Sequence, residues 1–299
     1  MKKQSSMGSK IFNICNYLFL GISGLLCVLP FINLLAISFS GTNAVNAGIV
    51  RFWPVDFTLK SYEFVINNPA FLKAAFVSVQ RVFLGVSLNM ILTILVAYPL
   101  SKEKTKFKWR GFYAWFFMIT ILISGGLIPT YMIIKYTGLL DTIWALVLPG
   151  ALPVFNMVVL LNFFRALPIE LEEAASIDGA SHWTTLWKIY IPLSKAALAT
   201  VTLFCIVGHW NSWFDGLLYM NRPDHYPLQS YLQTVIIDPE VFMKNALHTS
   251  KDIHGFLNFI NARTSKAAQL FIGALPVLLV YPFLQRYFTT GLVLGSVKG

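Results

Sequence analysis

Charge is the scarcest property of this chain. Asp, Glu, Lys and Arg make up 12% of its 299 residues, about half the share of a soluble domain. With 56% of residues hydrophobic and 15% aromatic, the composition excludes an ordinary soluble domain and predicts a membrane protein. Cysteine is also sparse. Cys15, Cys27 and Cys205 are odd in number and lie in apolar runs, so a disulfide framework is not indicated and they read as small core hydrophobes. The five histidines are scattered, without metal-ligand spacing, and no metal site is expected. No GxxxxGKS/T, GxSxG or HExxH pattern occurs. If ATP powers this protein, it is hydrolysed on another chain, and the chain is expected to be no enzyme and to bind no cofactor itself. The net charge of +10 would raise nucleic acid as a partner of a soluble protein. Here the bases gather in short loops between apolar runs, and nucleic acid is not expected.

Long apolar runs are what the sequence has. Six of them, at 11–39, 71–101, 111–136, 142–164, 196–214 and 267–285, predict an all-α membrane protein with six transmembrane helices. Residues 102–110, KEKTKFKWR, hold five bases against one acid, the strongest cytoplasmic marker in the chain. Segments 41–68 and 221–264 each sum to zero charge and are expected outside. Both termini then lie in the cytoplasm, with 1–10 as a tail and 11–299 as a single transmembrane domain. Gly125, Gly126 and Pro129 predict a break or kink in the outer half of the third run. Pro149-Gly150-Ala151-Leu152-Pro153 must break the fourth, which is tolerable only where protein or a water-filled cavity covers the freed backbone groups.

One stretch cannot enter lipid although apolar runs flank it. Residues 165–195, RALPIELEEAASIDGASHWTTLWKIYIPLSK, carry seven charged side chains, each costing about 2.5 to 3.5 kcal/mol at a bilayer centre. Pro168 suits a first helical turn, and Glu170, Glu172 and Glu173 complement a helix dipole there. Ala174, Ala175, Ser176, Gly179, Ala180 and Ser181 are small, so another protein could approach this helix closely. Gly179 frees the chain to turn.

Glu173-Ala174-Ala175, then Gly179, Ile189 and Ile191-Pro192 resemble the EAA loop of permease subunits in bacterial ABC importers, with Ile191 where the family usually has Leu. Together with SGGLIPTYMIIKYTGLLDTIWALVLPG, GHWNSWFDGLLY and the closing GSVKG, nearly the whole chain is similar to the smaller, maltose-type permease of the carbohydrate importers. Within these it looks most like the branch for complex oligosaccharides, including those of uronic acids. The resemblance implies a type I importer fold and a multi-pass location in the bacterial cell membrane. It also implies that Glu173, Ala174, Ala175, Asp178 and Gly179 form a coupling helix docked on an ATPase subunit. Implied partners are a second permease, two ATP-binding subunits carrying ATP and Mg, and an extracellular or periplasmic solute-binding protein, with an oligosaccharide as substrate. In such permeases the loop matching 221–264 reaches toward the docked binding protein.

Two alternatives stand beside that reading: a permease for peptides, amino acids or lipid-like solutes, and an autonomous secondary transporter. The second normally carries ionisable groups at mid-membrane, whereas here the few ionisable residues in or beside the spans, Arg81 and Asp215 among them, are placed toward the ends. Arg81, Trp210, Asn211, Trp213 and Asp215 are the candidate substrate-pathway residues, since a sugar site combines aromatic faces with a few polar groups. The plainer reading of the tryptophans is an interfacial belt. For Arg81 the plainer readings are a snorkelling side chain or a pair with an acid of the partner permease. Asn89 and Gln269 are expected to join helices by hydrogen bonds.

Overall fold

The computed structural model describes residues 7–237 and 262–295. These residues are helical wherever they are regular. They divide into two compact units, residues 1–71 with 234–274, and residues 72–233 with 275–299.

In the first unit, α1 (Met7–Ser38) is apolar along its length. Only its last turn is buried, where Ala36 packs with Ala44 and Val45 of α2 (Thr42–Asn46) and with Val50. Ser38 Oγ and Tyr62 Oη of α3 (Lys60–Ile66) lie 2.8 Å apart and tie that end down. Gln269 of α15 (Ala262–Gly295) is completely buried. Among the described residues neither of its amide atoms has a hydrogen-bond partner, so the helix-joining bond expected of Gln269 is not seen there.

The second unit is built along α4 (Pro69–Ser101), a 33-residue helix. α1 and α4 are each long and apolar enough to cross a membrane. The third apolar run breaks at its glycines. α5 (Arg110–Leu122) stops after 13 residues, the chain turns through 113°, and α6 (Leu127–Tyr136) follows. Gly126 takes φ 84° at this corner, a conformation glycine adopts at no steric cost. Thirteen residues span about 20 Å, short of the roughly 30 Å of a hydrocarbon core. The fourth run breaks where its prolines predict, between α7 (Ile143–Val147) and α8 (Val154–Ala166).

After α8 the chain bends by 72° into α9 (Ile169–Ile177). It returns through α10 (His182–Thr185), a π-turn at Leu186–Tyr190 and α11 (Ile191–Leu193), then bends by 83° into α12 (Lys195–Asn211). α13 (Phe214–Tyr219) and α14 (Leu228–Ile237) follow. The main core joins α4, α8, the π-turn and α12 through Leu100, Leu160, Phe164, Leu186, Tyr190 and Val201.

Candidate functional site

The first candidate site begins at α9. Pro168 stands just before the first helical residue, with φ −57° and ψ 131°, so the helix starts one residue later than a first-turn proline would place it. At the other end the Ala180 amide donates to Ala175 O (2.9 Å) and the Gly179 amide to Ser176 O (3.1 Å). This is the paired bonding of a Schellman cap, whose turn residue needs a left-handed backbone. Gly179 supplies it with φ 75°. Ser181 then caps the next helix, its Oγ accepting from the Thr184 amide. A nine-residue helix is thus cut out between two sharply defined ends.

Of the five predicted coupling residues, Glu173, Ala174, Asp178 and Gly179 are exposed, and the space beyond a Gly179 Cβ is open. Ala175 differs. It is 8% exposed and faces this chain's own interior. A bulky residue there would disturb internal packing, so Ala174 is the cleaner probe of a surface contact.

Glu172, which sequence reasoning credits only with complementing a helix dipole, is the anchor of this segment. Its carboxylate accepts from Lys102 Nζ (2.9 Å), Tyr190 Oη (2.7 Å) and Lys106 Nζ (3.2 Å). Lys102 is 6% exposed, and its Nζ lies 4.0 Å from the ring centres of both Tyr98 and Tyr190. An ammonium between two aromatic faces gains cation–π attraction in addition to its ion pair. Burial pushes the Glu172 carboxyl up, but the bonds from Lys102, Tyr190 and Lys106 outweigh it and hold the group below its ordinary range. Burial lowers Lys102, against the pull of Glu172. Burial and the neighbouring Glu172 charge raise the Tyr190 phenol. The effect is mechanical: Glu172 and Lys102 bind the first half of α9 to the end of α4. No sequence signal pairs them, because they lie 70 residues apart among many other loop charges.

Higher on α4, Arg81 and Asp215 form a two-pronged ion pair. Arg81 Nη1 donates to Asp215 Oδ1 (3.1 Å) and Nη2 to Oδ2. Nη1 also reaches Ser212 O (3.2 Å), while Nε is left without an acceptor. Asp215 Oδ1 further accepts from Ser212 Oγ (2.8 Å) and the Gly216 amide (2.9 Å). The acid that Arg81 meets is therefore in its own chain, not at an interface or on a partner. Arg81 stands twelve residues into α4, about 18 Å along it, and is 3% exposed, so it is not a snorkelling end residue.

One turn further, Gly85 admits the His209 ring of α12, which a Cβ at residue 85 would overlap. The Asn89 amide lies beside it. With its oxygen accepting from His209 Nε2 (3.2 Å), its nitrogen donates to Gly85 O (2.9 Å), Gly150 O (3.2 Å) and Ala151 O (3.2 Å). Protein thus covers the backbone freed by the break between α7 and α8, as lipid requires. The remaining pathway candidates separate. Trp213 and Asn211 are exposed beside the α12–α13 break, and Trp210 is buried. Among the described residues, no cluster of three His, Cys, Asp or Glu could hold a metal ion.

The chain is similar to known proteins along almost its full length. It is 39% identical over 301 residues to the protein LplC of Bacillus subtilis (strain 168), covering 99% of this chain and 97% of that protein. It is 37% identical over 295 residues to the polygalacturonan/rhamnogalacturonan transport system permease protein YtcP of the same organism, covering 98% and 100%. Its fold superposes with a TM-score of 0.84 on a chain of a bacterial ABC transporter that imports the acidic polysaccharide alginate, at 32% identity over 95% of this chain and 99% of that one. The all-α architecture is thus that of a type I ABC importer's transmembrane domain, in a multi-pass membrane protein. The family model for binding-protein-dependent transport system inner membrane components matches residues 3–293, and the chain belongs to that family.

Proposed function

We propose that this chain is the non-catalytic permease subunit of an ATP-driven oligosaccharide importer in the bacterial cell membrane. It takes substrate from an external binding protein and couples to ATPase subunits through α9. The observation that carries this is the capped, exposed face of α9, anchored to α4 through Glu172 and Lys102. A helix held so firmly to a membrane-crossing helix transmits force applied to its free face. Glu173, Ala174, Asp178 and Gly179 form that face, and Ala175 packs beneath it. A second permease completes the pathway, and two partner subunits carry ATP and Mg.

Two of the relatives support an acidic oligosaccharide as substrate, one being a polygalacturonan/rhamnogalacturonan permease and the other part of a transporter involved in the import of alginate. Arg81 is not assigned to an anionic sugar, because Asp215 already meets its charge. The pair instead holds α4 to the α12–α13 break, where exposed Trp213 and Asn211 are the residues placed to meet a sugar. Uptake and substrate-stimulated ATP hydrolysis, measured in the reconstituted complex with uronic and neutral oligosaccharides, test this directly. Stimulation by binding protein loaded with uronic substrate is expected. Full uptake without binding protein would remove the delivery claim.

The proposed topology has six spans and both termini in the cytoplasm, with a coupling segment at 165–195 and an external loop at 221–264, of which 238–261 fall outside the described residues. Thr105→Cys and Asp178→Cys should resist an impermeant thiol reagent added outside intact cells, and Asn245→Cys should react. Labelling at 105 would reverse the orientation.

A further inference from the structure

Two clefts flank the end of α4 and share Leu95, Pro99 and Phe107. The first, of about 490 Å³, has Lys102, Lys106 and His182 on its polar side and Leu186 and Trp183 as walls. The second, of about 350 Å³, continues toward α5 past Val96 and Phe117 and contains no charged residue. Both are of ligand size. Trp183 and Trp109 stand at their rims, 61% and 68% exposed, as tryptophan does at a membrane–water boundary.

An occupant of both clefts must be anionic at one end and long and apolar at the other. Lys102 and Lys106 share one carboxylate, Glu172, so one positive charge is left over, and exposed Lys104 and Lys108 add to it. A free phosphate would leave the apolar cleft unfilled. We propose that the two clefts bind one anionic glycerophospholipid of the cytoplasmic leaflet. Its headgroup lies at Lys106 and His182, and its acyl chains pack on either side of Phe107. Basic pockets beside membrane helices on that side suit such headgroups. The site rests on the proposed topology, which makes this face cytoplasmic. Tyr98 and Lys102 wall the first cleft and also grip Glu172, so the bound lipid stiffens the joint between α9 and α4.

The test uses the assembled transport complex in phosphatidylcholine vesicles containing a minor fraction of brominated phosphatidylglycerol or, separately, brominated phosphatidylcholine. Bromine quenches nearby tryptophan, and Trp183→Phe isolates the signal of that residue. Trp183 should be quenched more strongly by the anionic lipid, and Lys106→Gln should weaken that preference about fivefold, the effect of one basic residue near an anionic surface. Lys188→Gln, an exposed base outside the clefts, should leave it unchanged. Equal quenching by the two lipids, equal loss in Lys188→Gln, or displacement by soluble glycerol phosphate would overturn the proposal. So would absence of quenching by either lipid, which would mean a partner subunit covers the clefts. ATP hydrolysis on the same vesicles separates this idea from the importer reading: normal substrate stimulation without lipid preference removes the lipid site alone.

Discussion

α4 is fastened at two places by opposite means. Near its C-terminal end, one carboxylate, Glu172, collects three donors. Within the apolar part, one buried guanidinium, Arg81, is matched by one half-buried carboxylate, Asp215. The first joint distributes charge over several partners, so removing one of them leaves others. In the second, Arg81 has no charged partner besides Asp215 among the described residues. A buried ion pair adds little net stability against an apolar replacement, yet breaking it leaves an uncompensated charge. The inner joint should therefore be brittle and the outer one compliant, which suits the coupling role proposed for α9.

The largest expected effect breaks the inner joint. Asp215→Leu, which strands Arg81, should cost about 3 to 5 kcal/mol, seen as loss of the assembled complex from membranes. The double variant Arg81→Leu/Asp215→Leu should recover much of it. If the single variant is as stable as the double, the contrast between the joints is wrong.

The outer joint should yield less. Glu172→Gln keeps a side-chain oxygen to accept these bonds and removes the charge that strengthens them, a loss of about 1.5 to 3 kcal/mol in all, and the complex should assemble with ATP hydrolysis poorly stimulated by loaded binding protein. Its pH dependence sharpens the point. The folded carboxyl lies below its ordinary 4.5, so its contribution is fully present above that value and is lost only as pH falls through the lowered one. The melting difference between the parent chain and Glu172→Gln should stay constant from neutral pH down to about 4.5 and shrink only below it.

Gly85→Ala probes the packing beside the inner pair. The added methyl overlaps His209, and an overpacked core costs about 1 to 3 kcal/mol, measurable as a lower melting temperature. Gly179→Ala, in open space but at φ 75°, should cost only about 1 to 2 kcal/mol through backbone strain. Gly179→Asn should cost less, because asparagine tolerates that cap position. Comparable losses in Ala and Asn would mean that the position matters for contact with a partner more than for the cap.

The two joints also differ in how far the sequence discloses them. Arg81 is conspicuous because a charge in an apolar run is costly, and Asp215 stands out for the same reason. Glu172 and Lys102 are unremarkable, since each lies in a segment already full of charge. Their importance comes from being brought together and buried, which no local pattern announces. Ala175 shows the same limit within a motif: spacing places it beside Ala174, while packing turns it inward.

The class of molecule and the places where the chain must break are legible in composition and local pattern. Scarcity of charge leaves lipid as the solvent for most of the chain, prolines and glycines forbid continuous helix at 149–153 and 125–126, and the acidic small-residue segment must lie in water. How those breaks are satisfied and which charges meet depends on the packing of distant helices. Asn89 covers the carbonyls of Gly150 and Ala151 from another helix, Arg81 finds Asp215 across 134 residues, and Lys102 finds Glu172 across 70. Such pairings depend on which helices lie side by side, and a local code of hydropathy and turn chemistry carries no term for that.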